Sequence, residues 1–273
     1  MAIDPGVGAA VIIGGAALVS NWRTHKLATA AIQAAQSGPM TDRWVSAVKL
    51  LAACSEPFQR SVESRLGAIY LIEQIAQESP AYRVPALELL AAYVREHSQI
   101  GKTGLEPDTD VQSALTVLGR CGHAGLDLRR AVLWGADLEG ANLVEVNLTR
   151  ARLSGVRFVS AQMPRARLRE AELVSADLSG ANLRGAYLVG ADLSAAKLCG
   201  ADLQGANLSG ARLRAADLHG ASLVDAILGD ADLTAAALDG VDLTGANPKP
   251  PVGACEHTWL PILGRQTAPT PAP

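Results

Sequence analysis

The chain has few cysteines, and their spacing is not that of a disulfide or zinc framework. They lie far apart, at Cys54, Cys121, Cys199 and Cys255. No C-x-x-C pair occurs, so we expect neither a disulfide-stabilised fold nor a zinc ribbon, and a reducing compartment fits best. Two Cys-x-His pairs, which end at His123 and His257, each offer only two ligands. We therefore predict no metal site.

The common sequence motifs of enzymes are also missing. The chain contains no G-x-G-x-x-G, P-loop, H-E-x-x-H or G-x-S-x-G motif, and its five histidines lie far apart. Each of these motifs supplies phosphate contacts, metal ligands or an activated nucleophile. We predict that the protein is not an enzyme and that it binds no cofactor.

The chain lacks the basic excess that is typical of nucleic-acid-binding domains. Its net charge is −3, and only 4% of its 273 residues are aromatic. Binding to the phosphate backbone normally depends on clustered Lys and Arg. We expect no direct contact with nucleic acid. The length allows two domains.

What the chain has in abundance is a five-residue repeat. A leucine-like residue recurs every five positions from Leu128 to Leu243, which is 23 steps of five and thus 24 repeat centres. Only Phe158 and Met163 replace leucine, and the residue two positions before each centre is nearly always Ala. A period of five fits neither an α-helix nor a strand, so each unit must turn a corner with Leu and Ala on the same side. The sequence predicts a chain that coils around its own core.

The A(D/N)LxG-like pattern of residues 126–247 resembles that of the pentapeptide-repeat family. The resemblance implies a right-handed quadrilateral parallel β-helix with four repeats per turn, leucine pointing inward and alanine packed beside it. The 24 repeats would then form six coils. At roughly 4.8 Å between stacked strands, the rod would be about 29 Å long.

Charged residues test the number of repeats per coil independently. With four repeats per coil, residues twenty apart lie above one another. The polar residues just before the leucines then form one column of alternating sign, Asp137, Arg157, Asp177, Lys197 and Asp217. A second column, from Arg152 to Asp232, alternates with one exception. Opposite charges on neighbouring strands stabilise a sheet by roughly a few tenths of a kcal/mol per pair and fix its register.

The charges are divided unevenly along the repeats. Residues 126–170 contain eight Arg and five acidic residues, a net charge of +3, whereas residues 171–247 contain four basic and ten acidic residues, a net charge of −6. We expect most of these charges to be ladder partners of one another. The candidate interaction surface consists of six arginines of the basic part, Arg129, Arg130, Arg150, Arg152, Arg167 and Arg169.

Residues 40–122 are predicted to be helical. Apolar residues recur at helical spacing in "RLGAIYLIEQIAQESP", "LELLAAYVREHS" and "DVQSALTVLGR", and Gly122 ends the last of these segments. The segments resemble a helical module that precedes the repeats in some bacterial pentapeptide-repeat proteins, which often have an N-terminal membrane helix. The first coil of a solenoid exposes an apolar end and unpaired strand edges, so we expect this module to cap the β-helix of residues 123–247.

Residues 1–39 contain an apolar run, Val7–Val19, that is close to the length of a membrane-spanning helix when its flanking residues are included. Trp22 lies where an interfacial aromatic residue would, and Arg23 and Lys26 follow it. The basic residues predict that the body of the protein lies on the cytoplasmic side of the cell membrane. We predict a membrane anchor followed by a helical stalk. A soluble buried helix, in a cytoplasmic protein, is the first alternative, and a disordered N-terminal end is the second.

Residues 248–273 form the C-terminal segment. The prolines of "NPKPPVG" remove backbone donors and end the repeat. We expect a folded-back cap built from four apolar residues, Trp259, Leu260, Ile262 and Leu263. A homodimer through the open end is the alternative. The final "QTAPTPAP" has too little apolar content to fold.

Two functions agree with these features. The first is a non-catalytic protein-interaction scaffold tethered to the cytoplasmic face of a bacterial membrane, with an unknown protein partner. The second is implied by the resemblance, because some pentapeptide-repeat proteins resemble B-form DNA and bind DNA gyrase, which protects it from drugs. Such mimicry requires a strongly acidic rod, whereas residues 126–247 carry a net charge of only −3 and an arginine-rich beginning. The scaffold is therefore the favoured hypothesis.

Overall fold

Four helices precede the repeats within the part of the chain that the structure describes. The structure is a computed structural model that describes residues 39–52, 62–98 and 106–247. The helices are α1 Pro39–Ala52, α2 Val62–Glu78, α3 Pro80–His97 and α4 Thr109–Cys121. Helix α2 contacts each of the other three, and α3 contacts α4, so the helices form one packed module.

Two of the predicted segments lie outside the described residues. These are the N-terminal membrane helix, with its interface at Trp22, Arg23 and Lys26, and the C-terminal segment, with its apolar residues from Trp259 to Leu263. Among the helices of residues 39–52, 62–98 and 106–121, none has the length and apolar character needed to cross a membrane.

The repeats form a right-handed quadrilateral parallel β-helix, which confirms the fold expected from the sequence. One residue in every five, from Asp127 to Asn247, makes parallel β-bridges to the residues twenty positions away, on both sides in the inner coils and on one side only at the two ends. Four repeats therefore complete one coil, and the bridges from residue 127 to residue 247 cover six coils. Backbone hydrogen bonds join the coils, as where Leu198 donates to the carbonyl of Asp217 and Asp217 donates to the carbonyl of Ala196.

The leucine and alanine columns fill the interior of the β-helix. The repeat centres from Leu128 to Leu233, including Phe158 and Met163, are buried, and so are the alanines and valines two positions before them. Burial of one such leucine contributes about 1.5–3 kcal/mol. In the last repeats, Leu238 and Leu243 are only partly buried. The core is continuous with that of the helical module.

Each repeat turns a corner with a residue of positive φ two positions after its centre. The turn is closed by a hydrogen bond such as that from the Ala201 amide to the Leu198 carbonyl, 3.0 Å long. Glycine occupies many of these corners, for example Gly200 with φ +63°. Twelve corners carry other residues, with φ between 53° and 60°. A side chain in this left-handed region costs about 1 kcal/mol or more.

Helix α4 ends at Cys121, and its C-cap residue, Gly122, lies against the first coil. Gly122 has φ +57°, and a Cβ there would lie 2.6 Å from Nδ2 of Asn142. A Cβ on the preceding glycine, Gly119, is also excluded, because it would lie 2.7 Å from Cβ of Ala141. The two glycines thus allow the end of α4 to approach the first coil closely, as the predicted capping role requires.

Polar groups of the helical module pair with the strand edge of the first coil. In later coils the amide of each bridge residue donates to a carbonyl of the preceding coil, and the first coil has no such neighbour. The Val132 amide instead donates to Oγ of Ser98, 3.1 Å away. The Asn142 amide donates to the carbonyl of Gly119 at 2.8 Å.

The pairing is most complete at Asp137. Its amide donates to Oε1 of Gln112 at 3.0 Å, and Nε2 of Gln112 donates to the Asp137 carbonyl at 2.7 Å. One side-chain amide on α4 therefore replaces both backbone groups of the missing coil. Burial of an unpaired backbone group would cost about 1–3 kcal/mol, so these contacts favour a docked module.

We expect Gly200→Ala to lower the thermal unfolding midpoint by roughly 2–4 °C, equivalent to about 1 kcal/mol. Apart from its chain neighbours, no atom of the described residues lies within 4 Å of the new Cβ, so the loss would come from the positive φ alone. Gly229→Ala is the matched control, because Gly229 does not have a positive φ and its nearest neighbour, Oγ of Ser209, is 3.9 Å away. The unfolding midpoints are measured by circular dichroism. An equal decrease in the two variants would show that the positive φ of Gly200 is not the cause.

Candidate functional site

The four repeats of a coil produce four outer faces. We number each face by its bridge residue in the first coil, so that face 1 begins at residue 127, face 2 at 132, face 3 at 137 and face 4 at 142. Bridge residues twenty apart follow one another along each face. Since Leu and Ala fill the interior, the groups that distinguish one face from another are these bridge residues and the corner residues beside them.

Faces 2 and 3 carry ladders of opposite charge, as the sequence predicts. On face 3, Asp137 pairs with Arg157 at 3.1 Å, and Lys197 pairs with Asp177 at 3.7 Å. Face 2 contains two such pairs, Arg152 with Glu172 at 3.4 Å and Arg212 with Asp192 at 3.5 Å. Each exposed pair contributes at most about 1 kcal/mol, but together they fix the stacking register.

Face 4 is polar and paired in a similar way. Its bridge residues include two amides in contact, since Nδ2 of Asn182 donates to Oε1 of Gln162 at 3.0 Å. Asp202, on the next coil, accepts from Arg184 at 3.2 Å. Faces 2, 3 and 4 thus satisfy their polar groups largely within the β-helix.

Face 1 has no charge ladder. Its bridge residues after Asp127 include no acidic residue; they are Asn147, Arg167, Tyr187, Asn207, Ile227 and Asn247. The side chains of Tyr187 and Ile227 are 53% and 43% exposed. Within the described β-helix, only Val174 is a further large apolar residue with comparable exposure. Face 1 therefore presents apolar side chains to solvent in a single column.

Arginines surround the middle of face 1. Arg165 and Arg184 lie on the corners that lead into it, and Arg150 and Arg169 lie on the corners that leave it. Arg167 lies between them, bridged to Tyr187 on the next coil. Among the described residues, Arg167 makes no ion pair, and its side chain is exposed.

The carboxylate of Glu170 pairs with two of these arginines. It accepts from Nε of Arg150 at 2.6 Å and from Nε of Arg169 at 3.1 Å. The hydrogen bond from Arg150, followed by that from Arg169, lowers the pKa of Glu170 below the usual range of a glutamate. Glu170 is thus ionised at neutral pH and partly neutralises the corner beside face 1.

Five of the six predicted arginines lie on face 1 or on the corners that leave it. Four of them lie on the corners, Arg129 and Arg130 in the first coil, Arg150 in the second and Arg169 in the third, while Arg167 lies on face 1 itself. Arg152 lies on face 2, where it pairs with Glu172 and stacks over the ring of Trp134 with its Cζ 5.6 Å from the centroid.

The first coil makes polar contacts with the helical module that the sequence alone does not reveal. Asp127 accepts two hydrogen bonds from the Arg129 side chain, each of 2.9 Å, and pairs with Arg95 of α3 at 3.1 Å. Burial opposes ionisation of Asp127, but the hydrogen bonds from Arg129 and the charge of Arg95 lower its pKa. Arg129 is therefore held in a structural cluster, whereas Arg130 makes no ion pair with any described residue.

The sequence interpretation missed the apolar part of this surface. Tyr187 and Ile227 do not belong to a column of alternating charge, which is the pattern that identifies faces 2 and 3 in the sequence. The signal was present in the bridge residues at steps of twenty from 127 to 247, which contain the only aromatic bridge residue of the β-helix, Tyr187.

The family model for pentapeptide repeats matches the chain with eight copies. The matched segments overlap and together cover residues 127–163, 151–190, 176–214 and 211–247. No curated protein matches the chain significantly.

Several solved structures are similar to the chain. One is HetL, a pentapeptide repeat protein involved in heterocyst differentiation regulation in the cyanobacterium Nostoc sp. strain PCC 7120, with 38% identity and a TM-score of 0.28. A second is Rfr23, from the cyanobacterium Cyanothece 51142, with 35% identity and a TM-score of 0.25. The matches cover 44% and 37% of this chain, and 65% and 60% of the two relatives. The chain therefore spans less than two thirds of either relative.

A third similar structure is that of QnrB1, a plasmid-mediated fluoroquinolone resistance protein. Its full-length form is 18% identical to this chain, and the match covers 51% of this chain and 86% of QnrB1 with a TM-score of 0.20.

We expect Arg150→Gln to raise the pKa of Glu170 towards the usual range, because it removes the stronger of the two hydrogen bonds. A lowered carboxyl pKa stabilises the fold above the pKa of the unfolded chain, and this contribution is lost as the pH falls through the folded pKa. Carboxyl ¹³C NMR titration of Glu170 measures the change. Arg214→Gln, distant from Glu170 on the acidic coils, should leave the titration unchanged, and a similar shift in both variants would contradict the assigned cause.

Proposed function

Residues 127–247 match the family model for pentapeptide repeats, and from this premise we propose that the protein is a non-catalytic interaction scaffold that binds a partner protein through face 1. The observation that carries the proposal is the exposed column of Arg167, Tyr187 and Ile227 on the face without a charge ladder. An exposed aromatic residue beside arginine is the composition that dominates the binding energy of many protein interfaces.

A solenoid suits this role, because its coils are fixed to one another by regular hydrogen bonds. Each coil of the β-helix is joined to the next on all four faces. Side chains on face 1 are therefore held at regular spacing before a partner arrives, which reduces the entropy lost on binding. The interior of the β-helix leaves no space for a partner, because apolar side chains fill it.

The membrane tether is a further part of the proposal. It rests on the apolar run Val7–Val19 and on its flank of Trp22, Arg23 and Lys26. An anchor there would connect through the predicted stalk to α1, which begins at Pro39. The β-helix would then lie on the cytoplasmic side of the membrane, in agreement with the basic flank.

Binding to DNA gyrase is the second candidate function. The acidic coils favour it, because residues 171–247 carry a net charge of −6. Against it, ion pairs of Asp177 with Lys197 and of Asp192 with Arg212 lie on these same coils. A polyanionic surface that imitates DNA would need such carboxylates to be free for cationic groups of the enzyme.

We expect a photoreactive benzoylphenylalanine in place of Tyr187 to cross-link a discrete partner protein in living cells. The same amino acid in place of Lys197, on the opposite face of the same coil, is the control and should capture little, because that face is occupied by its own ladder. Cross-linked products are compared by electrophoresis and mass spectrometry.

Equal capture from the two faces, or none from either, would refute binding through face 1. Capture of a gyrase subunit from Lys197 rather than from Tyr187 would favour the second candidate function. This experiment therefore separates the two functions by the face that each one uses.

We expect the full-length protein to remain in the membrane pellet through carbonate and high-salt washes, and a variant that begins at Met40 to be released. The reason is that the variant lacks the apolar run and its flanking basic residues. Recovery of both proteins in the supernatant would refute the membrane tether without affecting the proposed role of face 1.

A further inference from the structure

We propose that the partner of face 1 is an acidic, extended segment of a protein, which places a carboxylate on Arg167 and apolar side chains on Tyr187 and Ile227. This inference rests on the proposed interaction function and identifies the chemistry of its partner.

The middle of face 1 is the most basic part of an otherwise acidic β-helix. In coils two to four, this face and its two flanking corners contain five Arg, at positions 150, 165, 167, 169 and 184, and two Glu, at positions 145 and 170, which is a net charge of +3. The β-helix as a whole, residues 126–247, has a net charge of −3. A partner with complementary charge at this point must therefore be acidic.

Arg167 is the arginine best placed to bind an incoming carboxylate. The four arginines on the corners each pair with an acidic residue, at 3.4 Å for Arg165 and Glu145 and 3.2 Å for Arg184 and Asp202, for example. Arg167 makes no ion pair with a described residue. A carboxylate of the partner can bind it without breaking an existing pair, so the gain in binding energy is not offset by a loss within the β-helix.

The spacing along face 1 fits a short extended segment. Arg167 and Tyr187 lie on neighbouring strands, and Ile227 lies two coils beyond Tyr187. At about 4.8 Å between strands, the three side chains extend over about 14 Å, which about four to five residues of extended chain would cover. The segment would lie along the axis of the β-helix and would contact one bridge residue per coil.

Asn207 lies between the two apolar residues and supplies a donor for the backbone of the segment. Its Oδ1 accepts from the amide and the hydroxyl of Ser209, at 3.1 Å and 2.7 Å. Its Nδ2 makes no hydrogen bond to any of the described residues. This group can donate to a carbonyl of an extended peptide.

The charges beside Ile227 give the segment a direction and disfavour a uniform polyanion. Asp225 and Asp230 lie on the two corners that flank Ile227. A nucleic acid strand or an anionic lipid surface would bring phosphates to these carboxylates as well as to Arg167, which is repulsive. The segment is therefore acidic at the end near Arg167 and uncharged or basic at the end near Ile227.

The test uses the full-length protein and a fluorescein-labelled synthetic peptide of about ten residues, with glutamates in one half and leucines in the other. We expect fluorescence polarisation to show binding that Arg167→Glu weakens at least about tenfold and Tyr187→Ala about fivefold. Glu170→Gln should strengthen binding, because it frees Arg150 and Arg169.

Two control variants match these changes at other surfaces. Arg212→Glu makes the same change in charge on face 2, and Tyr70→Ala removes a tyrosine of α2 that is 51% exposed, close to the 53% of Tyr187. Both should bind the peptide within about twofold of the unchanged protein. Unfolding midpoints establish that all variants are folded, as expected for substitutions of exposed residues.

Three outcomes would overturn the inference. The first is equal binding of a peptide with lysines in place of the glutamates. The second is an equal loss of peptide affinity in Arg167→Glu and Arg212→Glu. The third is equally tight, Arg167-dependent binding of a single-stranded oligonucleotide or of phosphatidylglycerol vesicles. If the peptide does not bind while Tyr187 still cross-links a partner in cells, the acidic partner is wrong and the interaction function stands. If neither occurs, both are wrong.

Discussion

The unpaired strand edge of the first coil is the constraint on which the rest of the structure depends. Every later coil finds its hydrogen-bond partners in the coil before it, and the first coil has to find them elsewhere. Gln112 reproduces both backbone groups of the missing strand at Asp137, and the end of α4 supplies a carbonyl for Asn142. The helical module and the β-helix consequently share one core and one edge, and we regard them as a single folding unit.

This arrangement restricts function to the outer faces. Leucine and alanine are fixed by the core, corner residues by the positive φ, and the backbone by the bridges between coils. The outward bridge residue is one of the positions at which the repeats differ without loss of the fold. On faces 2, 3 and 4 the bridge residues pair with polar groups of neighbouring coils, while on face 1 Arg167 and Tyr187 are exposed. The bridge residues of face 1 therefore contribute least to the stability of the β-helix.

The sequence alone was sufficient for the parts of the fold that repeat. Leucines at steps of five determine the core, and the alternation of Asp137, Arg157 and Asp177 reveals the coil length, because both patterns are imposed at every turn. The pairing of Gln112 with Asp137 could not be predicted, since it depends on how α4 docks. The same limit applies to the site. Composition reveals the arginines, whereas the lack of an ion pair at Arg167 among the described residues depends on which carboxylates reach its neighbours.

The corners beside face 1 carry charged residues at a cost in stability, which indicates that these charges serve a purpose other than stability. In the first three coils these corners carry Arg130, Glu145, Arg150, Arg165 and Glu170, all with φ between 55° and 59°. In coils four and five the same corner columns carry glycine, at residues 185, 190, 205 and 210, which adopts this conformation without strain. Charged residues at positive φ each cost about 1 kcal/mol, and backbone strain of this kind gathers at functional sites. The strained charged corners of the β-helix all flank face 1: five lie beside its basic part, where the partner's carboxylate would bind, and Asp225 and Asp230 lie beside Ile227.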